Sequence, residues 1–501
     1  MPVCFLLESA IITGMSNKHV ICLLNDSFPP IIDGVANAVV NYARIIEKDH
    51  GHALVLTPQM PGSDDRSYDF SIVRYPSIDT RRLIGYVTGY PFSPDAANAV
   101  KAQNVELLHT HCPVISALLA RSLAEANGLP LVLTWHTKYD IDIANAVKSE
   151  LLRESAVQAL LQNVNACDEI WTVSRGAGEN LRSIGYEGEY IVMPNGVDLP
   201  HEKVPEAFVS EVTADYDLPD GVPCFLFIGR LMWYKGLRII LDALDSLNRE
   251  HLDYRMVFVG GGGDEKEVRE YAREAGLDSK VIFTGPVSDR EKLRAWYSRA
   301  DLFLFPSTFD TNGLVVREAA ASDTAAVIIK DSCASEGVSD GRNGFLIEEN
   351  AESLACKLKE LLAYPETIQR VGRGAGEELY ISWEAAVANA YDRYEAVIDN
   401  YKSGVYGRHD PLKGSWMQSQ GELMQILGDI ETARKELRRS GEELAGEIDM
   451  SLRSARNRAL TDAIAARYEM GQSIKRMGRE ALEGLESLLD EVSQSFWDRT
   501  R

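Results

Sequence analysis

The sequence contains no long apolar run and no excess of positive charge. No segment reaches the ~18 consecutive apolar residues of a membrane-spanning helix, and the N-terminal stretch lacks the basic flank of a signal peptide. The formal net charge of the chain is -23, and an anionic surface repels the phosphates of nucleic acids. We therefore expect a cytoplasmic protein that binds no nucleic acid.

Paired cysteines are also missing. The seven cysteines are scattered along 501 residues, and none forms the C-x-x-C pair of zinc or redox sites. Several lie within apolar runs, including Cys22 and Cys224. We therefore expect buried, reduced thiols, as in other proteins of reducing compartments.

Two signatures of bound cofactors are incomplete. Residues 260–263 are four glycines after a candidate strand, but Glu265 stands where the last glycine of a G-x-G-x-x-G loop belongs. A plain strand–helix turn is the better interpretation. His109, His111 and Cys112 lie close together without further ligands nearby, so we interpret them as lining a cleft.

The chain does contain a regular alternation of short apolar runs with helical patterns. In the first half the candidate strands are residues 20–24, 53–57, 72–74, 106–109, 131–134, 169–173 and 191–193. In the second half they are residues 224–228, 255–259, 281–284, 302–305, 326–329 and 344–347. Helical patterns between them predict parallel sheets covered on both faces. The predicted fold class is α/β, with two Rossmann-like doubly wound domains whose facing strand ends form a cleft.

Two changes in composition divide the chain. Four prolines and several acids at residues 198–223 interrupt the alternation and predict a linker region, and strand-like runs end before residue 382. The predicted parts are an N-terminal extension (1–18), two Rossmann-like domains (19–205 and 206–380), a single helix (381–405) and a helical extension (406–501).

The helical extension carries one apolar stripe. The stripe residues recur at 3–4 spacing over about two heptads, which is short of a coiled coil; they are Leu482, Leu485, Leu489, Val492 and Phe496. We expect the extension to dock on the protein or to form a homo-oligomer. Peripheral contact with a membrane is the open alternative.

The turn FIGRLMWYKG, residues 227–236, places two cations at the carboxyl end of a predicted strand. Arg230 offers a planar guanidinium with paired donors and Lys235 a compact positive charge, and such a pair suits a diphosphate. If the reaction releases a nucleoside diphosphate, the same charges stabilise the leaving group. The alternative is a pair of solvated surface cations.

Residues 306–322, PSTFDTNGLVVREAAAS, follow another predicted strand. Asn312 and Gly313 are interpreted as the turn that opens a helix through Glu318, and free N–H groups at a helix start bind anions or hydroxyls. Asp310 can accept hydrogen bonds from sugar hydroxyls, and Glu318 can bind the two hydroxyls of a ribose. The alternative is an ordinary helix start with two acidic residues.

Together the two motifs resemble those of the family-four retaining glycosyltransferases, which have the GT-B fold. That family has a glycine–arginine…lysine–glycine signature and a later E-x7-E motif, which correspond here to GRLMWYKG and D-TNGLVVR-E. The resemblance covers about residues 19–401. Residues 381–394, ISWEAAVANAYDRY, resemble the helix with which this fold crosses back onto its first domain.

The resemblance implies a role for each matching residue. Arg230 and Lys235 hold the donor diphosphate and, with His136 and Asp310, form the catalytic group. Glu318 binds the ribose, and Asp310 stands in place of the family's first glutamate, one methylene shorter. The remaining donor-binding residues are Gly34, Val287, Asn312, Gly313 and Leu314.

The first domain contributes Gly34 and His136 to this expectation. Gly34 follows the first strand and allows backbone amides to approach a phosphate closely. His136, in LVLTWHTKYD, resembles the family's cleft histidine, which contacts donor sugar and acceptor; a structural histidine at a strand end is the alternative. Asp140 and Asp142 imitate a metal-binding D-x-D motif but lie beyond this histidine, so we expect no metal.

The resemblance therefore implies transfer of a hexose from a UDP- or GDP-hexose to an acceptor hydroxyl, without cofactor or metal. The WHTKYD segment looks most like members that glycosylate diacylglycerol, which implies a lipid or glycan acceptor and a peripheral position at the inner membrane face. A catalytically impaired nucleotide-sugar-binding or scaffold protein is the alternative, motivated by Asp310. An epimerase or phosphorylase is a third reading, but no pyridoxal-phosphate lysine is recognisable.

Overall fold

The computed structural model describes residues 18–31, 33–78, 87–139, 143, 150–202, 204–308 and 313–407. Two parallel sheets flanked by helices lie within these residues, so the predicted α/β fold with two Rossmann-like halves is confirmed. The N-terminal extension and most of the helical extension, including its apolar stripe, lie outside the described residues.

The first half carries a seven-stranded sheet. The strands of this half are β1 Val20–Leu24, β2 His52–Pro58, β3 Ser71–Tyr75, β4 Ser77–Ile78, β5 Thr88–Gly89, β6 Leu107–Thr110, β7 Leu131–Trp135, β8 Glu169–Thr172 and β9 Ile191–Val192. The sheet order is β3-β2-β1-β6-β7-β8-β9, all parallel, and β4 with β5 forms a small antiparallel pair. Its helices are α1 Gly34–Ile45, continued by the π-helix Ile46–His50, α2 Pro94–Ala102, α3 Ile115–Asn127, α4 Glu150–Val164 and α5 Arg175–Ser183.

The second half carries a six-stranded parallel sheet. Its strands are β10 Cys224–Ile228, β11 Arg255–Val259, β12 Val281–Gly285, β13 Leu302–Phe305, β14 Ala325–Ile329 and β15 Phe345–Ile347, in the order β12-β11-β10-β13-β14-β15. Its helices are α6 Glu206–Thr213, α7 Leu237–Arg249, α8 Glu265–Glu274, α9 Arg290–Arg299, α10 Leu314–Ala320, α11 Ala351–Ala363 and α12 Pro365–Glu378, with 3-10 turns at Trp233–Lys235 and Cys333–Ser335.

The order of each sheet reverses at one place. The reversal lies between β1 and β6 in the first sheet and between β10 and β13 in the second. In open parallel sheets ligands bind outside the carboxyl ends of the strands at such a reversal. The loops that follow β10 and β13 carry most of the predicted site residues of the second half, so the topology itself brings these two loops together.

A last helix, α13 Trp383–Lys402, returns to the first half as the sequence predicts. Its apolar side chains join the buried core around α1, among them Trp383, Val387 and Tyr394. Arg393 and the following Tyr406 bind the buried carboxylate of Glu169 on β8. The chain that leaves the second half is therefore anchored on the first.

The stretch at residues 198–223, predicted as the linker region, contains helix α6. This helix begins at Glu206, where the predicted second domain begins, and packs against α9 of the second half. Pro205 precedes this helix, a position that proline tolerates because the first helical N–H groups need no partner within the helix. Among the described helices, none is both long and apolar enough to cross a bilayer.

We expect the substitution R393M to destabilise the fold. The Glu169 carboxylate would keep the hydrogen bonds from the indole of Trp171 and the hydroxyl of Tyr406, at 3.0 and 2.6 Å, but would lose its counter-charge. A loss of about 2 kcal/mol in the free energy of unfolding should follow, measured by urea denaturation. The control R66M, which breaks an exposed salt bridge with Asp64, should leave the urea unfolding transition unchanged. An unchanged transition in R393M would refute the anchoring role of this contact.

Candidate functional site

The turn after β10 presents the two predicted cations at the carboxyl edge of the second sheet. Arg230 is exposed, whereas Lys235 is buried. The ammonium of Lys235 lies 5.7 Å from the ring centre of Tyr234 and 5.8 Å from that of Phe305. These aromatic faces hold the lysine charge in place, since a ring face attracts a cation at this range.

Two glycines let the loops of the second sheet approach each other. Gly236 has φ of 77°, and a β-carbon added there would lie 1.8 Å from the carbonyl oxygen of Pro306 in the loop after β13. Gly313 has φ of 57°, and a β-carbon there would lie 2.8 Å from the α-carbon of Ala334. Only glycine fits either position, which explains why both motifs contain it.

A pocket of about 640 Å³ opens beside Arg230. Val287, which was expected near the base, lies in its wall. The pocket is lined by Ile228, Gly229, Arg230, Val259, Gly260, Gly261, Gly262, Glu265, Pro286, Val287 and Leu293. Residues 260–263 do form a strand–helix turn, as predicted, but that interpretation misses their place in this wall. Three adjacent residues without side chains leave the room that the pocket occupies.

Glu318 lies on α10 with its carboxylate buried. Tyr297 donates its hydroxyl to Oε2 at 3.0 Å, and Arg290 donates from Nη1 to Oε1 at 3.3 Å. Burial raises the pKa of Glu318, and the charge of Arg290 and the hydrogen bond from Tyr297 offset part of this rise. Arg290 and Tyr297, both on α9, are site residues that the sequence analysis missed.

The loop before α10 is described only from Gly313 onward. Asp310 and Asn312 lie outside the described residues, so their roles stay predictions. The predicted helix through Glu318 is confirmed as seven residues, and Leu314 is its first residue. The expected backbone contacts of Gly313 and Leu314 to a donor also stay predictions.

The first half supplies Gly34 at the start of α1. The preceding Asp33 caps this helix, and its carboxylate accepts hydrogen bonds from the N–H groups of Val35 and Ala36 at 2.9 and 2.8 Å. Gly34 is exposed, and a β-carbon added there would meet nothing within 4 Å. The residue is thus accessible at the end of the loop after β1, as its predicted role requires.

His136 follows β7 and belongs to a buried group of three histidines. Its Nε2 lies 2.9 Å from Nδ1 of His111. His109 lies between Tyr394 of α13 and Thr134, with contacts of 2.5 and 2.7 Å. The prediction that His109 and His111 line a cleft is wrong, because both are fully buried, His109 against Tyr394 of α13 and His111 against Tyr42 of α1.

A second pocket, of about 400 Å³, lies between the two halves. Lys138 reaches it from the first half, two residues after His136, and Tyr234 and Glu349 reach it from the second. The full lining is Lys138, Trp233, Tyr234, Gly236, Arg238, Ile239, Pro306, Thr308 and Glu349. The turn that contains Arg230 and Lys235 therefore separates two pockets.

No group of three or more His, Cys, Asp or Glu residues in the described part of the chain is placed to hold a metal ion. Asp140 and Asp142 lie outside that part, and the expectation that they bind no metal stays a prediction.

Two family models match the chain, one on each half. The model described as Glycosyltransferase Family 4 matches residues 32–200, and the model described as Glycosyl transferases group 1 matches residues 210–377. The second segment contains Arg230, Lys235, Val287 and Glu318.

Named relatives align along most of the described chain. The alpha-monoglucosyldiacylglycerol synthase of Streptococcus pneumoniae is 25% identical over 384 residues, which is 75% of this chain and 86% of that protein. The D-inositol 3-phosphate glycosyltransferase of Pseudarthrobacter chlorophenolicus is 28% identical over 306 residues, or 59% and 72% of the two chains.

Solved structures share the fold. The sucrose-phosphate synthase of Thermosynechococcus elongatus superimposes with a TM-score of 0.61 at 20% identity, covering 76% of this chain and 100% of that one. Anabaena HepE in complex with UDP superimposes with a TM-score of 0.60 at 18% identity, covering 75% and 99%. At these identities the similarity shows a shared fold.

We expect His136 to stay uncharged throughout the physiological range. Burial lowers its pKa to about 3, so the ring loses its proton far below pH 5 and remains neutral above it. NMR signals of the ring, assigned with H136N, should not shift between pH 5 and 8. In the urea-unfolded chain the histidines should titrate near ~6.5. A folded-state inflection between pH 5 and 8 that H136N removes would contradict this expectation.

Proposed function

Because this chain belongs to the family-four glycosyltransferases of the GT-B fold, we propose that it transfers a hexose from a nucleoside diphosphate hexose to an acceptor hydroxyl with retention of configuration. One observation carries the proposal. Arg230 and Val287 line one pocket at the carboxyl edge of the second sheet, Lys235 lies in the same turn as Arg230 after β10, and Glu318 lies on α10, which follows the neighbouring strand β13. No cofactor and no metal enter the proposed reaction.

Each part of the donor has a counterpart in this arrangement. The nucleobase lies in the 640 Å³ pocket, whose glycine wall offers backbone groups and whose Val287 offers an apolar face. The ribose lies against the carboxylate of Glu318, and the diphosphate lies between Arg230 and Lys235. The hexose then faces the first half, near His136 and the predicted Asp310. HepE, which has the same fold, was solved with UDP, and this supports a nucleotide as the ligand.

The two cations act mainly on the leaving group. As the bond between the anomeric carbon and the phosphate oxygen breaks, negative charge grows on the diphosphate and Arg230 and Lys235 stabilise it. The acceptor oxygen then bonds to the anomeric carbon on the face that the phosphate leaves. Its proton passes to the departing phosphate oxygen, so atoms and charge balance and configuration is retained. His136, being neutral, contributes a hydrogen bond rather than a charge.

The acceptor enters through the second pocket. This pocket is next to the segment that follows His136, and it combines the exposed ring of Tyr234 with the charges of Lys138 and Glu349. Such a mixture suits the polar headgroup of a glycolipid, because rings stack on sugars and charges bind hydroxyls or phosphate. The Streptococcus pneumoniae relative is named for a glucosyldiacylglycerol product, which supports a lipid acceptor and a peripheral position at the inner membrane face.

The donor assignment predicts a strong loss of turnover in K235A and E318A. With UDP-glucose, UDP-galactose or GDP-mannose and a panel of lipid and soluble acceptors, wild type should release nucleoside diphosphate. K235A should lower kcat about 100-fold, because one donor to the developing charge is lost. E318A should lower kcat/KM about 10- to 100-fold, because the ribose loses a charged hydrogen-bond partner.

A matched control is K280A. Lys280 precedes β12, at the opposite edge of the same sheet, and its ammonium binds the carbonyl of Leu252. This variant should turn over like wild type. Wild-type rates in both K235A and E318A would refute the site. Tight binding of the nucleotide sugar without release of nucleoside diphosphate to any acceptor would instead favour the alternative of a catalytically impaired binding protein.

The acceptor assignment predicts a selective change in Y234A. Removing the ring should raise the acceptor KM about 3- to 10-fold, the worth of one aromatic contact, while the donor KM for acceptor-independent hydrolysis changes less, because Phe305 still faces the ammonium of Lys235. Y364A removes an even more exposed tyrosine, which precedes α12 and lines neither pocket, and should change neither constant. An unchanged acceptor KM in Y234A would place the acceptor elsewhere.

A further inference from the structure

A line of charged contacts leads from Glu318 out of the second half. The guanidinium of Arg290 contacts Glu318 with Nη1 and the carboxylate of Asp198 with Nη2. Asp198 lies in the loop after β9, at the end of the first sheet. One arginine therefore bridges the carboxylate proposed to bind ribose and a carboxylate at the junction of the two halves.

Asp198 is itself held by three donors from the first half and α13. Its Oδ1 accepts hydrogen bonds from Trp383 Nε1 at 2.6 Å and from Asn41 Nδ2 at 3.0 Å, and its Oδ2 accepts one from Asn37 Nδ2 at 2.7 Å. Asn37 and Asn41 lie on α1, the helix that Gly34 begins. With Arg290 as the fourth donor, this single carboxylate joins α1, α13 and α9.

Arg290 needs such an anchor. Its side chain is 43% exposed, so water competes for the guanidinium, and a long flexible side chain loses rotamer freedom when it is held in one place. Asp198 supplies a second point of attachment. Burial alone would lower the pKa of Arg290, but the charges of Glu318 and Asp198 outweigh burial and raise it. The arginine therefore stays charged beside Glu318.

The contacts also define how Glu318 is presented. Tyr297 holds Oε2 and Arg290 holds Oε1, so each oxygen has one donor. An ionised carboxylate offers about four acceptor positions, and two remain for a pair of vicinal hydroxyls. Without Arg290 the buried carboxylate would lose its counter-charge and one of the two contacts that fix its orientation.

We propose that Arg290 is the positioning residue for ribose recognition, holding Glu318 ionised and aligned for the 2′,3′-diol while Asp198 ties it to the first half. This inference rests on the proposed function, in which Glu318 binds the ribose. It adds that ribose recognition depends on a residue of α9 and on the junction, neither of which is in the donor motifs. The recognised chemistry is the vicinal diol of a ribonucleoside diphosphate.

The test measures discrimination between a ribonucleotide and its analogue without the diol. Dissociation constants of UDP and 2′,3′-dideoxy-UDP, and of the matching guanosine pair, are measured by calorimetry on the full chain. Wild type should bind the ribonucleotide of the preferred pair about 10- to 100-fold more tightly, since two hydrogen bonds to a charged group are lost in the analogue. In R290M the ratio of the dissociation constants of the analogue and the ribonucleotide should fall to about three or less. R290K should keep part of this discrimination, because lysine retains the positive charge but lacks the planar guanidinium with its paired donors.

The control variant lies one turn further along the same helix. Arg294 donates hydrogen bonds to Glu291 and to the carbonyl of Glu202 instead of Glu318 and Asp198, so R294M should keep the wild-type ratio. D198N should lower the ratio by about threefold, because Arg290 loses its anchor but keeps Glu318. Thermal melting of each variant reports folding, and if R290M fails to fold, R290K decides the question.

The outcomes separate this inference from the proposed function. A wild-type ratio well above one that R290M and R290K retain in full overturns the role of Arg290 and leaves the donor site intact. A wild-type ratio near one for both nucleotide pairs means that Glu318 does not bind the diol, and it overturns the donor assignment together with this inference. A ratio that falls in R290M, partly recovers in R290K and is unchanged in R294M supports the proposal.

Discussion

The buried carboxylate of Glu318 is the constraint on which the rest of the site depends. A charge removed from water is costly unless a counter-charge and hydrogen bonds replace the lost solvent. Here α9 supplies both, a guanidinium from Arg290 and a hydroxyl from Tyr297. Because Arg290 also contacts Asp198, satisfying one buried charge links the second half to α1 and α13 of the first. The solvation requirement of one side chain thus determines how the two halves meet beside the donor site.

The sheets provide the rigid frame for this contact. Helices cover both faces of each parallel sheet, so its strands are mostly apolar. The functional side chains therefore lie in the loops at the carboxyl ends of the strands. The reversal of strand order at β10 and β13 places the Arg230–Lys235 turn against the loop that precedes α10. The close backbone approach of Gly236 to Pro306 joins these loops, and Gly313 approaches Ala334 in the 3-10 turn after β14. Helix α13 follows the second half in the chain and packs against the first half, so it joins the two.

Much of this arrangement could be predicted from the sequence. The bounds of β10, β11 and β13 agree with the predicted runs residue for residue, because strands covered on both faces are nearly continuous apolar runs. Arg230, Lys235 and Glu318 could be found because their motifs are local and have a fixed spacing. Arg290 and Asp198 could not, since their importance comes from a contact between residues 92 positions apart. The error on His109 has the same origin, because Tyr394, which covers it, lies 285 residues further along the chain. The strand–helix turn at residues 260–263 was predicted correctly, but its place in the pocket wall could not be, because the opposite wall comes from the later residues Pro286, Val287 and Leu293.

The central claim is that one ribonucleoside diphosphate occupies the edge of the second sheet in a single orientation. A crystal structure of the chain soaked with UDP or GDP tests this most directly. We expect density for the base in the pocket at Val287, for the diol against Glu318, and for the diphosphate between Arg230 and Lys235. A nucleotide bound outside this edge, or reversed so that its phosphates lie at Val287, would contradict the account.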